Sequence, residues 1–324
     1  MMRLRDPSDL SANERAVWDA LAAGSETPDP LSGGSAWQLT ALACSRRAGA
    51  QILLRQSHDS QVALAVTQES GRIRLEPLEA HWSFGCPLLG PEAVAMLADS
   101  IAALRNLHPD HRIACVVSGL DPQGLHARQI SATFPRVLAR WQDDQAAASL
   151  AGGMEGWLSR RSANTRKNLK RSQRRAREAG IRFERARPVS AWQAFEVYSR
   201  MLGIEARSWK GKRHSGLLAL RRFYAQLLEA YAARDAARVI FARQGSEDVG
   251  FCYGGVGGGV YRGQQTSYSE QVADLGIGTL MHLETAKWLV EDGAHLHHFG
   301  PVQRQIAYKA RCASSPCQAS ANAF

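Results

Sequence analysis

Residues 260–280 read VYRGQQTSYSEQVADLGIGTL. Val260 to Tyr268 has strand character, and an apolar helical pattern runs from Gly278 to Asp292. Between them lies Leu275-Gly276-Ile277-Gly278-Thr279-Leu280. Glycines at such a junction let the backbone turn tightly and approach a ligand with no Cβ in the way. The N–H groups that open the following helix have no intrahelical acceptor, so the junction can hold an anion. Turns and helix starts also use glycine for geometry alone, so the surrounding order of elements has to decide.

Upstream, Arg238 to Arg243 and Gly250 to Gly255 read as adjacent strands joined by a polar turn at Gln244 to Asp248. Downstream, His295 to Phe299 reads as one more strand. The run is strand, strand, strand, helix, strand. Ahead of it come a strand at Ile181 to Arg185, a helix at Ser190 to Leu202 and a long amphipathic helix at Leu217 to Ala233. A helix is expected from Trp157 to Ala179, with Gly180 as its C′ residue. It holds Arg160, Arg161, Arg166, Lys167, Lys170, Arg171, Arg174, Arg175 and Arg177 against one acid, Glu178. A helix this polar is solvated or faces something anionic. No aromatic residue interleaves the charges between Arg160 and Arg182, which gives no support to base stacking.

The first half reads as mixed α/β. A helix is expected over Ser11 to Ala23, a Gly-, Ser- and Pro-rich loop over Gly24 to Ser35, and strands over Gln51 to Arg55, Gln61 to Gln68 and Arg72 to Glu76. Ala93 to Leu107 fits a helix and Arg112 to Val117 a short strand. His81-Trp82 and Phe84-Gly85 read as a turn or strand end. Composition changes near Ala146, and Gly152-Gly153 suits a joint, so the expected division is 1–150 and 151–324.

The chain has 324 residues, 45% of them hydrophobic, enough for a sizeable core. Its 40 basic and 30 acidic side chains leave a formal charge of +10, which favours anionic partners. The six cysteines form no CxxC pair and no zinc spacing with histidine, so free thiols are expected. Met1 to Leu10 lacks an apolar core for a signal peptide, and no apolar stretch approaches the ~18 residues of a membrane span. These features point to a cytoplasmic setting.

Three further constellations carry chemistry. Ile204-Glu205-Ala206-Arg207-Ser208-Trp209-Lys210-Gly211 follows neither a helix face nor a strand alternation. It is either a charged loop with one anchoring Trp or a site. As a site, Glu205 is a base or amine-binding carboxylate, Trp209 walls a pocket and Lys210 meets an anion. Tyr308-Lys309 follows Phe299-Gly300-Pro301 at the last strand. His295 and His297 share one face of that strand, but no third metal ligand of fitting spacing accompanies them, so no metal is expected.

Taken in order, these segments resemble the GNAT superfamily, in its CelD-like acetyltransferase branch related to the Fem aminoacyltransferases. The family's basic helix, Ser-x-x-x-Arg repeated in fours and closed by Gly, matches Ser162 to Gly180 with Arg166, Lys170 and Arg174. Its Glu-Ala-x-Ser-Trp-Lys-Gly is spelt by Glu205 to Gly211. Tyr268 is kept, and Ile277-Gly278 stands where Pro-Gly usually falls. Phe299-Gly300 and Tyr308-Lys309 close the match, with His298 in place of an Asp and Ala273 in place of a Gln or Arg. The resemblance covers roughly 155–313.

It implies an α/β (α+β) GNAT fold in a double-GNAT arrangement whose N-terminal half is degenerate. It implies an N-acyltransferase that moves an acyl group from an acyl-CoA or acyl-carrier protein to an amine. The donor pyrophosphate would sit at Gly276, Ile277, Gly278 and Thr279, with Lys309 beside it. Glu205 or Glu270 would take the amine proton and Tyr308 would protonate the leaving thiolate. Ser208, Trp209, Lys210 and Tyr268 would line the substrate. Two alternatives remain: a Fem-like transferase using aminoacyl-tRNA, which the basic helix favours, and a non-catalytic binding protein on the same scaffold.

Overall fold

The computed structural model describes residues 4–45, 50–79, 82, 84–301 and 315–323. Tyr308, Lys309, Cys312 and His81 lie outside the described residues. The chain forms two compact units, one of 1–144 with 318–324 and one of 145–317. The first division therefore falls a few residues before Gly152-Gly153, and the C-terminal end returns to the first unit.

The first unit is a twisted sheet between helices. β1 (Leu4–Arg5) leads to α1 (Ala12–Ala23), where Ser11 and Glu14 form a reciprocal capping box. The stretch expected as a loop instead holds α2 (Pro30–Gly33) and starts α3 (Ser35–Cys44). The reason is local: Asp29 caps Ser32 and Pro30 sits at the first helical position. β2 (Gln51–Gln56), β3 (Gln61–Glu69) and β4 (Arg72–Glu76) form an antiparallel meander. The short β5 (Leu88–Leu89) pairs with β3, and α4 (Ala93–Leu107) crosses to β6 (Arg112–Leu120), parallel to β4. Along β3, Val62, Leu64 and Val66 pack under α4, while Ala63 and Ala65 face α1 and α3. That is the period-2 alternation of a strand covered on both faces. α5 (Leu125–Thr133) follows.

The second unit begins within β7 (Ala139–Ser149). The single basic helix expected from Trp157 is two: α6 (Gly153–Ser159) and α7 (Ala163–Glu178). Ser162 breaks them, its hydroxyl accepting from Thr165 N as the α7 N-cap. Next come β8 (Ile181–Ala186), α8 (Ala191–Ala206), α9 (Trp209–Lys212) and α10 (Arg221–Ala232). β9 (Ala237–Gln244), β10 (Glu247–Gly257) and β11 (Val260–Tyr268) are antiparallel. A 3-10 turn at Glu270–Leu275 leads into α11 (Ile277–Glu291), and β12 (Leu296–Pro301) returns parallel to β11. The sheet order is β7-β12-β11-β10-β9-β8. α6, α7 and α11 cover one face, around Trp157, Leu169, Cys252, Tyr261, Met281 and Leu289. α8 and α10 cover the other, where Met201, Phe223, Leu227, Tyr231, Phe241 and Tyr253 are buried. β13 (Ser315–Ala323) closes the chain, pairing with β6 from Ser320 to Ala323.

Candidate active site

Two bulges open the second sheet. β11 and β12 pair only over Val260–Arg262 and Leu296–His298. Just past the last shared pair, β11 inserts Gln264 against β10, between Tyr253↔Gln265 and Gly254↔Gly263. β12 inserts Phe299 against β7, between His298↔Ala147 and Gly300↔Ala146. An extra residue bends its strand and increases its twist. With one on each strand, the two part beyond Arg262 and His298, and among the described residues no strand pairs with the β12-side edge of β11 from Gly263 to Tyr268.

The last shared pair is locked by side chains. Arg262 donates to His298 Nδ1 at 2.5 Å, and Gly300 N donates to the same nitrogen at 3.1 Å. Two donors on Nδ1 make it the unprotonated ring nitrogen. Gly300 has φ 84°, and a Cβ there would lie 3.3 Å from the Arg262 guanidinium.

On the α11 face, His282 reaches into the angle between the strands. Its Nδ1 lies 3.7 Å from Cys252 Sγ on β10 and its Nε2 lies 3.4 Å from Thr266 Oγ1 on β11. Thr266 Oγ1 donates to Cys252 Sγ at 3.4 Å, which closes the triangle. Burial pushes the Cys252 thiol up, but His282 and the Thr266 bond outweigh it and bring it down to about 7. His282 also meets the rings of His297 (5.5 Å) and Phe299 (5.1 Å) on β12. His297 is fully buried, stacks on Phe299 and bonds through neither ring nitrogen. Burial holds it well below the usual imidazole range, so it is neutral.

The bulge places two consecutive glutamines on the opposite face. Gln264 Nε2 donates to Tyr231 OH at 3.4 Å and Gln265 Nε2 to Tyr224 OH at 2.7 Å. Lys210 Nζ donates to Gln265 Oε1 and to Thr266 O, both at 2.9 Å. Loss of water lowers the Lys210 ammonium, which Glu205 partly opposes.

The eight residues from Ile204 are not a loop: they are the last turn of α8 and the start of α9. Ser208 caps α9, accepting from Lys210 N and Gly211 N and donating to Glu205 O. It is fully buried, so its hydroxyl serves the backbone turn. Glu205 is also 0% exposed; its Oε1 accepts from Leu217 N at 2.9 Å, and its Oε2 accepts no hydrogen bond. Gly216, at φ 67°, would bring a Cβ within 2.2 Å of that Oε1. Glu205 thus ties down the segment after α9. Trp209 is 46% exposed beneath the Arg213 guanidinium. Glu270 is exposed and ion-paired with Lys212.

At the other end of the open edge, Gly276 enters α11 at φ 74°. Ile277 and Gly278 give the first helical N–H groups, which have no intrahelical acceptor. A Cβ on Gly278 would stand 3.0 Å from the Tyr268 ring, and one on Gly276 would stand 2.8 Å from Ser172 Oγ of α7. Ile277 is buried, and Thr279 N bonds back to Gly276 O. So the structure brings Lys210, Tyr268, Gly276 and Gly278 to the two faces and one end of a single open strand edge. Cys252, Arg262, Gln264, Gln265, Thr266 and His282 belong to the same cleft and carried no distinct signal in the sequence. The one hint is the run of polar residues at 264–267, which departs from alternation where the bulge lies.

Two hollows of about 630 and 640 Å³ lie elsewhere, one beside Arg187 and Phe195 between β8 and α8, the other beside Arg128 and Trp141 in the first unit. Among the described residues, no group of three or more His, Cys, Asp and Glu stands where it can hold a metal. Among the same residues, no helix is long and apolar enough to cross a membrane.

Residues 163–310 match the family model described as an acetyltransferase (GNAT) domain. None of the curated proteins matches the chain in sequence. Three solved structures share its fold at low identity. A conserved protein of unknown function from Bacteroides thetaiotaomicron is 9% identical over 100% of both chains, with a TM-score of 0.70. FemX is 10% identical over 99% of this chain and 97% of its own, at 0.63. The C-terminal domain of a putative lysylphosphatidylglycerol synthetase from Agrobacterium fabrum is 12% identical over 96% and 92%, at 0.60. The chain therefore carries a GNAT acetyltransferase domain in its second unit, and it is an acyltransferase.

Proposed function

We propose that this acyltransferase moves an acyl group from a phosphopantetheine thioester, carried by coenzyme A or by a carrier protein, to an amine. The observation that carries the reading is the cleft where β11 and β12 part. The pantetheine amides can pair with the free edge of β11 as an added strand would. The donor phosphates then reach the N–H groups of Ile277 and Gly278, which the glycines leave open. Lys309, as the resemblance implies, joins them. Lys210 holds the β11 edge through Gln265 and the Thr266 carbonyl, and Tyr268 and Trp209 bound the substrate.

The amine attacks the thioester carbonyl directly. The C–N bond forms, the C–S bond breaks, and the amine proton passes to a carboxylate. Glu205 takes that role, its buried carboxylate acting electrostatically on the Lys210 ammonium, and Tyr308 protonates the thiolate. Glu205→Gln then slows turnover by at least ~100-fold in a folded protein, whereas Glu270→Gln, at an exposed ion pair, changes it by less than ~10-fold. The reverse order of the two effects would move the base to Glu270. The first unit is, in this reading, a degenerate counterpart of the second, and the CelD-like branch supplies its relatives.

The donor is tested by thermal shift with coenzyme A, acetyl-CoA, longer acyl-CoAs and aminoacyl-tRNA. A donor at ~100 times its Kd adds about 2.7 kcal/mol and raises the Tm. A response to tRNA with none to any CoA would put the aminoacyl-tRNA reading, which the basic α7 favours, in first place.

A further inference from the structure

α7 carries seven basic residues, and among the described residues only two of them meet an acid. Arg174 approaches Glu178 at 3.7 Å, and Arg175 bonds Asp274 Oδ2 at 2.6 Å. Lys167, Lys170, Arg171 and Arg177 are exposed and have no acidic partner among the described residues. Residues four apart lie one above another on a helix. Lys167, Arg171 and Arg175 therefore form one row and Arg166, Lys170 and Arg174 a second. The first row ends at Asp274, two residues before Gly276, and Ser172 stands against Gly276 itself. The charged face thus passes beside the first N–H groups of α11, which stand near its middle, and extends to either side of them. From Arg166 to Arg177 it spans twelve residues, about 18 Å.

That length exceeds what the phosphates of one nucleotide need. Its residues also include no aromatic that would stack on bases. A surface rich in carboxylates matches it better. We propose that the exposed face of α7 docks a small acidic carrier protein that presents the acyl group as a phosphopantetheine thioester. The proposal rests on the thioester reading of the cleft. The carrier's phosphopantetheine phosphate meets Ile277 N and Gly278 N, its arm follows β11, and its carboxylates lie along Lys167, Lys170 and Arg171. The carrier is thereby the donor that the site is built for, and free coenzyme A shares only its phosphopantetheine arm.

The experiment titrates fluorescent acyl-loaded acyl carrier protein into the full chain and into the triple variant Lys167→Glu/Lys170→Glu/Arg171→Glu. A tRNA titration and a thermal shift with acetyl-CoA run beside it. The expected result is saturable carrier binding that weakens with salt and weakens at least ~tenfold in the triple variant. The acetyl-CoA shift stays the same in both proteins. Carrier binding equal in both proteins overturns the proposal, as does no carrier binding beside an intact acetyl-CoA shift. Binding of tRNA alone, lost in the variant, makes the occupant an RNA and overturns it too. An acetyl-CoA shift lost together with carrier binding assigns the face to nucleotide phosphates. Silence with both thioesters in the wild type brings down the thioester reading itself, a different failure from any of these.

Discussion

Gly276 and Gly278 illustrate how single residues set the cleft. Gly276 occupies the left-handed region at φ 74°, where an L side chain costs roughly 1–2 kcal/mol. Gly276→Ala should lower stability by about that much in urea unfolding, and by more if Ser172 cannot yield, because the new methyl would meet its Oγ. Lys210 sets the opposite wall. Lys210→Met strands Gln265 Oε1 and the Thr266 carbonyl and should cost about 1–3 kcal/mol, with turnover falling as the β11 edge loosens. A stability unchanged within ~0.5 kcal/mol would show that those oxygens find other partners. In the first unit, burial pushes the Glu79 carboxyl up to about 8 from 4.5, against the bonds it accepts from Trp37 and Gly85. The native state therefore keeps that proton while the unfolded chain loses it. Bound protons are more numerous in the native state across the window, so stability falls as pH rises from about 4.5 to about 8. Glu79→Gln should flatten that slope in urea midpoints taken across the range; an unaltered slope would place its cause elsewhere.

At the scale of elements, α7 joins two opposed tendencies. Lys170 lies four residues from both Arg166 and Arg174, and like charges at that spacing repel by about 0.2–0.5 kcal/mol each. Lys170→Glu turns both repulsions into attractions and should raise stability by about 0.8–2 kcal/mol in urea unfolding. A helix that gives up stability in this way is consistent with a charged face kept for an anionic partner. The elements also show what the sequence displays and what it hides. The glycine turn into α11 and the strands β9, β10 and β11 were legible, because periodicity and punctuation agree there. The Gln264 bulge was not, since one inserted residue changes no composition and only shifts the faces that follow it. Ser162 lies inside a charge run, so periodicity reads α6 and α7 as one helix, although the family's basic-helix pattern begins at Ser162. Glu205 to Gly211 carried a recognisable pattern but no periodicity, because half of it is a helix end and half a four-residue helix held by Ser208. His282 sat in an apolar helix as any core histidine would, and only the fold brings it to Thr266 and Cys252.

Across the whole molecule, both units use the same scheme of an antiparallel meander followed by a helix and a parallel strand: β2-β3-β4, α4, β6 in the first and β9-β10-β11, α11, β12 in the second. Only the second joins that order to a glycine pair at the helix entry; α4 begins instead at Ala93, after Pro91 and Glu92. This asymmetry supports the proposal that the transfer chemistry lies in the second unit and that the first is its degenerate counterpart. The proposed donor rests its phosphates at Ile277 and Gly278. Calorimetric titration of coenzyme A into the wild type and into Gly278→Val tests this most directly, with circular dichroism as the check on folding. The added side chain meets the Tyr268 ring and closes the helix entry, so the predicted result is saturable binding in the wild type and at least ~tenfold weaker binding in a folded variant. Equal affinity in both proteins would contradict the assignment and move the donor away from the α11 entry.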